Sequence, residues 1–395
     1  MTDSTRFAKV LKTPEVIALA FGAMIGWSWV LLTGVWLTAA GTVGTLIAFC
    51  VGGIAVTLIG LTYSELASAM PKAGGEHIYT KRALGSRWSF VCTWALLFSY
   101  VNVCMFEAVA LPSAIEYLYP DIRLGTLWNV LDSDVDLGFI LIGIGATALV
   151  TWVNYLGIRT AAILQAVVTA LIVVTGLLLI SGAMAFGDAS NAQPWIATPV
   201  SGILIVLIMV PSMLIGFDVI PQSAEEIDLP PNKIGRLLIF SVACAVAWYV
   251  LIAMAVGFGL NADALSTTKM ATADAAAMLW SGSWAGSLLV LGGIGGILTS
   301  WIAFIVGASR VLFALAESGH VPKVFAKIHP KHKTPYVGIL AIGALTMVAP
   351  LFGRTILVWL VNSGSFAVTI AFVFVAISFL VLRKTEPDMP RPFKV

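Results

Sequence analysis

Asp218 and Glu107 are acids set inside long apolar runs. Hydrocarbon penalises an ionised carboxylate, so such a group persists where it faces protein or a water-lined cavity, and it marks an ion or substrate path by default. Asp218 lies in Ile215-Gly-Phe-Asp-Val-Ile-Pro-Gln222, where Gly216 and Pro221 also interrupt the helix. Three readings of Asp218 are open: a proton carrier, a partner for a substrate amine, or an acid that accepts backbone N–H bonds of the unwound segment. Carbonyls freed at this break suit an ammonium or a cation, and Phe217 offers a face to an apolar or cationic substrate part.

A second interrupted run, Gly22-Ala-Met-Ile-Gly-Trp-Ser-Trp29, lies nearer the N-terminus. Unwinding at Met24, Ile25, Gly26, Trp27 and Ser28 leaves backbone N–H groups at the start of the next half-helix, which favour an anion such as a substrate carboxylate. Two broken helices at corresponding places in two halves of a chain point to a transporter binding site at mid-membrane. Thr299 and Ser300 are adjacent hydroxyls. Together with carbonyls of the first break they would make an oxygen cage for sodium, or they bond their own helix carbonyls. Glu225, Glu226 and Asp228 follow the second break, either as a cytoplasmic gate pairing with Lys or Arg or as a solvated loop.

The elements that must position these residues are membrane helices. Hydrophobic residues make up 59% of the chain and charged residues 11%, against about 25% charged in soluble domains. Apolar runs read as ten spans over roughly 16–42, 43–70, 89–119, 137–155, 160–185, 201–228, 237–261, 285–317, 336–352 and 355–382. With that assignment, 19 Lys and Arg fall in one set of loops and three (Arg123, Lys269 and Arg354) in the other. The bias places both termini in the cytoplasm, in a multi-pass protein of the cell membrane. Ten spans divide into five and five. An odd number per half makes the second half an inverted repeat of the first, with the two breaks as equivalents.

Other chemistries are excluded. The net charge of +2 argues against nucleic acid as a partner. His77, His320, His329 and His332 lack zinc-ligand spacing. No P-loop is present, so ATP is not the direct energy source, and no nucleophile–base pair suggests an enzyme. No cofactor is implied beyond a coupling ion. Cys50, Cys92, Cys104 and Cys244 fall in apolar runs and read as small core residues. Gly292–Gly296 reads as a close helix contact. The acids Asp121, Asp132, Asp134 and Asp136 occupy an outer loop, and Asn261–Ser283 reads as one amphipathic helix on the outer face. Met1–Lys12 is polar and carries no signal peptide.

Several stretches resemble the amino acid–polyamine–organocation transporters, which have the LeuT-type fold. They are the glycines of the first break; Tyr63–Gly85, with its Pro, Gly-Gly and basic residues in one order; Asn154–Arg159; Gly216–Asp218 with Ala224–Ile227; and Ser309–Ala316 followed by Gly319–Pro322. The resemblance implies an all-α protein with a 5+5 inverted repeat. A tail (1–13), two repeats (14–185 and 201–383) and a cytoplasmic linker (384–395) follow, without the family's helices 11 and 12. It implies alternating access for an amino acid or related small amine, in a bundle of spans 1, 2, 6 and 7 rocking on a scaffold of spans 3, 4, 8 and 9. In such proteins the first break holds the carboxylate, the second holds the amine, and the aromatic at Phe217 gates. Three departures stand out. Trp27 and Ser28 replace a small residue and a Gly. Asp218 replaces a Glu. No Lys occurs near Ile172, where some members carry a proton-shuttling Lys. The coupling candidates are then sodium at Thr299 and Ser300, or a proton on Asp218 or Glu107, with uncoupled exchange as the third possibility. A channel or a non-transporting sensor is the rival reading.

Overall fold

The computed structural model describes residues 7–122, 124–130, 133–268 and 270–395. Arg6, Arg123, Asp132 and Lys269 therefore lie outside the described residues. Helix α1 spans Thr13–Met24 and α2 spans Ser28–Leu31. Pro14 and Glu15 suit the first turn of α1, and the Glu15 carboxylate accepts from the Lys12 amide at 3.1 Å. Helix α3 (Thr33–Ala69) bends at Gly41, whose φ of 75° ends the first apolar run and starts the second. Helices α4 (Gly75–Leu84), α5 (Ser86–Leu118), α6 (Leu137–Tyr155) and α7 (Ile158–Phe186) complete the first half.

The second half opens with α8 (Ser201–Met213) and the four-residue α9 (Val219–Gln222). It continues through α10 (Pro231–Gly259), α11 (Ala262–Thr267), α12 (Ala271–Leu279), α13 (Ser283–Glu317), α14 (Tyr336–Thr346) and α15 (Ile356–Thr385). Among the described residues, seven helices are long and apolar enough to cross a membrane, or eight if α14 and the 3-10 turn after it, bent by 43°, form one span. The short apolar helices α1 and α8 each run into a break. Helix α13 is the axis of the fold. Its membrane-length window is 83% buried, and it packs against α5, α7 and α1.

One expectation changes. Asn261–Ser283 is not one surface helix. It divides into α11 and α12, and α12 buries Ala271, Thr272, Ala273, Ala275, Ala276 and Leu279. Thr272 donates to the Val30 carbonyl at 3.0 Å, so α12 sits over α2. The acidic outer loop carries a hairpin that the sequence reading did not address. Strands β1 (Thr126–Val130) and β2 (Ser133–Asp136) pair antiparallel. The Asp136 carboxylate accepts from the amides of Leu124, Gly125 and Gly138, so its charge organises the loop and caps α6.

Candidate substrate site at the paired helix breaks

The first break rests on α13. A Cβ at Gly296 would lie 2.7 Å from the Gly26 carbonyl oxygen and 2.8 Å from that of Ile25, so only Gly lets the break approach this closely. Among the described residues, the amides of Gly26 and Trp27 make no backbone hydrogen bond. Met24, Ile25 and Trp27 are buried, and Trp27 packs its ring on Gly293. Ser28 shares a 2.8 Å hydrogen bond with the Tyr249 hydroxyl. Tyr249 also reaches the carbonyls of Met24 (2.8 Å) and Met213 (3.3 Å), which tie the ends of α1 and α8 together. That bridging Tyr is a site residue the sequence reading missed, although a tyrosine amid apolar residues was a signal.

Glu107 of α5 lies against the same break. Its Oε1 is 2.9 Å from where a Gly26 Cβ would stand, and it accepts from Ser300. Its Oε2 is buried without a partner. An α-carboxylate bound here would meet a like charge. At about 4 Å and an effective dielectric near 20, such a pair repels by about 4 kcal/mol. A helix N-terminus attracts an anion by only about 0.3–1 kcal/mol, and α2 is four residues long. Where Glu107 is ionised, its charge outweighs the dipole.

At the second break, Gly216 adopts φ +127° and Asp218 is fully buried. The Asp218 carboxylate accepts from the Gly216 amide at 2.8 Å and from the Tyr100 hydroxyl at 2.7 Å. It therefore braces the unwound segment, as one of the three readings held. A second acid, missed in sequence, lies close by. Glu76 of α4 is fully buried and accepts from Gln222. Burial, then the neighbouring Asp218 charge, raise the Glu76 carboxyl well above the ordinary carboxylate range. Tyr63 lies beside Glu76 without an aligned hydrogen bond. Phe217 stacks on Phe372 of α15 at 5.5 Å and meets Tyr63 edge-on at 5.3 Å.

Thr299 and Ser300 face different partners. The Thr299 hydroxyl donates towards the carbonyls of Gly22 and Gly296, each at 3.0 Å, while Ser300 serves Glu107. Gln165 of α7 donates its amide to the Ala18 carbonyl at 3.2 Å, and Thr169 stands beside Gly22. Ile172 is an apolar neighbour of Gly295.

Beyond the second break the chain is closed by an ion pair. Arg310 of α13 binds Glu226 through two 2.8 Å hydrogen bonds, both side chains being 1% exposed. Phe7 covers the guanidinium at 5.6 Å, and the amides of Val10 and Leu11 donate to the Glu226 carbonyl. Glu225 is half-buried and outside this pair. Two clefts, one of about 470 Å³ beside Tyr155 and His329 and one of about 130 Å³ beside Gly41 and Asn191, include no residue of either break.

His77 follows Glu76. Burial, then His320 and Lys81, lower its imidazole from 6.5 to about 4. A base held neutral in the fold contributes stability that is complete above pH 6.5 and lost as pH falls toward about 4, because the unfolded chain takes the proton first. The midpoint of thermal unfolding should fall between pH 7 and pH 5, and less so in H77Q. Equal losses would contradict this.

The amino acid permease family matches residues 11–395. The chain is 29% identical over 390 residues to the branched-chain amino acid permease BcaP of Bacillus subtilis, covering 96% of this chain and 82% of that protein. It is 25% identical over 402 residues to the methylthioribose transporter of the same organism, covering 100% and 85%. It is 27% identical over 413 residues to human cationic amino acid transporter 4, covering 99% of this chain and 63% of the relative. With two broken apolar helices meeting over buried acids and a family match along nearly its whole length, the chain belongs to the amino acid permease family.

Proposed function

We propose that this protein carries an amino acid or a related small amine across the cell membrane by alternating access, with both termini in the cytoplasm. The observation that carries the reading is the meeting of the two breaks. A Cβ on Gly216 would lie 2.7 Å from Ala23 Cβ, and Tyr249 bonds the ends of both helices. Each break leads from a short apolar helix into a helix of four residues, as an inverted repeat requires. On one side the Glu226–Arg310 pair closes the path. On the other, Trp29 packs on Trp248 at 5.4 Å and Trp36 on Phe49 at 4.8 Å. Closure on both sides favours a carrier over a channel, which needs a continuous polar path. The relatives' names support amino acids or other small polar solutes as substrates.

For coupling we favour a proton on Asp218 and Glu76 over sodium. Around these acids stand Tyr63, Tyr79, Cys92 and Tyr100. The hydroxyls of Thr299 and Ser300 are engaged with separate acceptors. Uptake of labelled L-leucine and labelled putrescine into proteoliposomes tests the reading. Replacing sodium by choline at fixed pH should leave the rate unchanged, whereas D218N and E76Q should each abolish its dependence on a pH gradient. Sodium-dependent uptake would restore Thr299 and Ser300 to the mechanism.

A further inference from the structure

We propose that the cleft between the end of α6 and the loop 318–335 binds the headgroup of an anionic phospholipid, in the leaflet on the Lys-rich side of the membrane. The inference does not depend on what the protein carries.

The cleft, of about 470 Å³, is lined by Tyr155, Lys327, His329 and Tyr336 among others. Tyr155 ends α6 and Tyr336 begins α14, so the cleft lies where two apolar helices leave the membrane, at headgroup depth. Its walls are held in place. The Tyr155 ring meets His329 edge-on at 5.2 Å and Tyr336 at 6.4 Å. His332 Nδ1 donates to the Leu156 carbonyl at 2.9 Å, and Thr334 donates to the Tyr155 carbonyl at 3.2 Å. Two carbonyls at the end of α6, which would repel an anion, are thereby engaged. His329 Nδ1 accepts from the amides of Lys331 and His332 at 3.2 and 3.1 Å. The neutral ring therefore carries its proton on Nε2, as a donor. Lys333 takes φ 56° to close the loop on the His329 carbonyl at 2.9 Å.

Charge decides the ligand. Residues 318–335 carry Lys323, Lys327, Lys331 and Lys333, and Arg159 follows α6. Neither 137–187 nor 318–385, the stretches that build the cleft, contains an Asp or Glu. Among the described residues, Lys327 and Lys331 join no ion pair. Desolvation, then the charges of His332 and Lys331, lower the His329 imidazole below its ordinary value. A cation is disfavoured here despite the aromatic rings. An anionic membrane surface gains about fivefold in affinity for each basic side chain beside it.

The approach is apolar, which selects a lipid over a soluble anion. Leu149, Trp152 and Tyr155 share one face of α6 by their spacing, and Tyr336 and Leu340 share one of α14. Leu149, Trp152 and Leu340 are exposed, and Trp152 stacks on Tyr155 at 5.5 Å. These side chains lead from the cleft towards hydrocarbon and give acyl chains a path that a soluble anion does not need.

The test melts the full chain in detergent with dioctanoyl phosphatidylglycerol, dioctanoyl phosphatidylcholine or inorganic phosphate. Phosphatidylglycerol should raise the unfolding midpoint at concentrations about tenfold or more below those of the other two. K327Q/K331Q should weaken that effect by about tenfold or more. K233Q, an exposed lysine of α10 on the same side, should leave it unchanged. Lys327 and Lys331 are exposed, so the double variant should keep the fold; K327Q alone supplies a second arm, with a loss of about fivefold. The inference is overturned if the double variant responds to phosphatidylglycerol as the wild type does, if phosphatidylcholine is as effective, or if K233Q costs as much. Inorganic phosphate acting at the same concentrations as the anionic lipid would also overturn it, in favour of a soluble anion.

Discussion

Arg310→Met is expected to lower the stability of the folded chain by about 3–5 kcal/mol, because it strands Glu226 as a buried charge. The pair has ideal geometry, with two parallel 2.8 Å bonds and both side chains 1% exposed. Its Coulomb gain is offset by desolvation of both ions, so the loss comes from breaking the pair rather than from lacking it. The double variant E226L/R310M should therefore recover most of the stability. Denaturant titration of the three proteins measures both effects. A single variant as stable as wild type would mean that water reaches Glu226. Transport should fall in both variants, since the pair joins the segment after the second break to α13 and specifies closure on that side.

Gly216→Ala should be nearly as damaging, by a different route. At φ +127° a side chain is strained by about 1–3 kcal/mol. The new methyl would also lie 2.7 Å from Ala23 Cβ and 3.0 Å from the Met24 amide nitrogen, which adds about 1–3 kcal/mol of overpacking. Together they force the two breaks apart, and uptake should be lost even where folded protein remains. Gly145→Ala is the control. It lies inside α6 with no heavy atom within 4 Å of the added carbon, and it should stabilise by about 0.4–1 kcal/mol. Equal behaviour of the two variants would show that contact between the breaks does not matter.

The broken helices and their acids were legible because hydrocarbon forbids them elsewhere. Gly26, Gly216 and Asp218 needed no partner to be noticed. Their partners were not legible, because the contacts join residues far apart in sequence. Tyr100 reaches Asp218 across 118 positions and Gln222 reaches Glu76 across 146. Glu226 could be named as a gate acid from its place after the break, but Arg310 on α13 could not be named as its mate. Direction was also hidden. Phe217 follows Gly216 by one residue, yet it turns to Tyr63 and Phe372. An unwound backbone has no fixed period from which to read a face. The hairpin after α5 was not read from the sequence, because the acids of that outer loop do not reveal that Asp136 accepts three backbone amides.

Glu107 illustrates both sides. Its place in mid-helix marked it as functional, but sequence alone suggested ion coupling. Its contact with Gly26 and Ser300 places it at the break where the family resemblance expected a substrate carboxylate.

The central claim is that one site between the breaks is exposed alternately to the two sides of the membrane. Countertransport tests it most directly. Proteoliposomes loaded with excess unlabelled putrescine, or with L-leucine in parallel, are diluted into the same compound carrying a trace label. The account predicts transient uphill accumulation of label that saturates with external concentration and disappears in D218N. Flux that is linear in concentration and indifferent to the internal load, or binding with no flux, would contradict it.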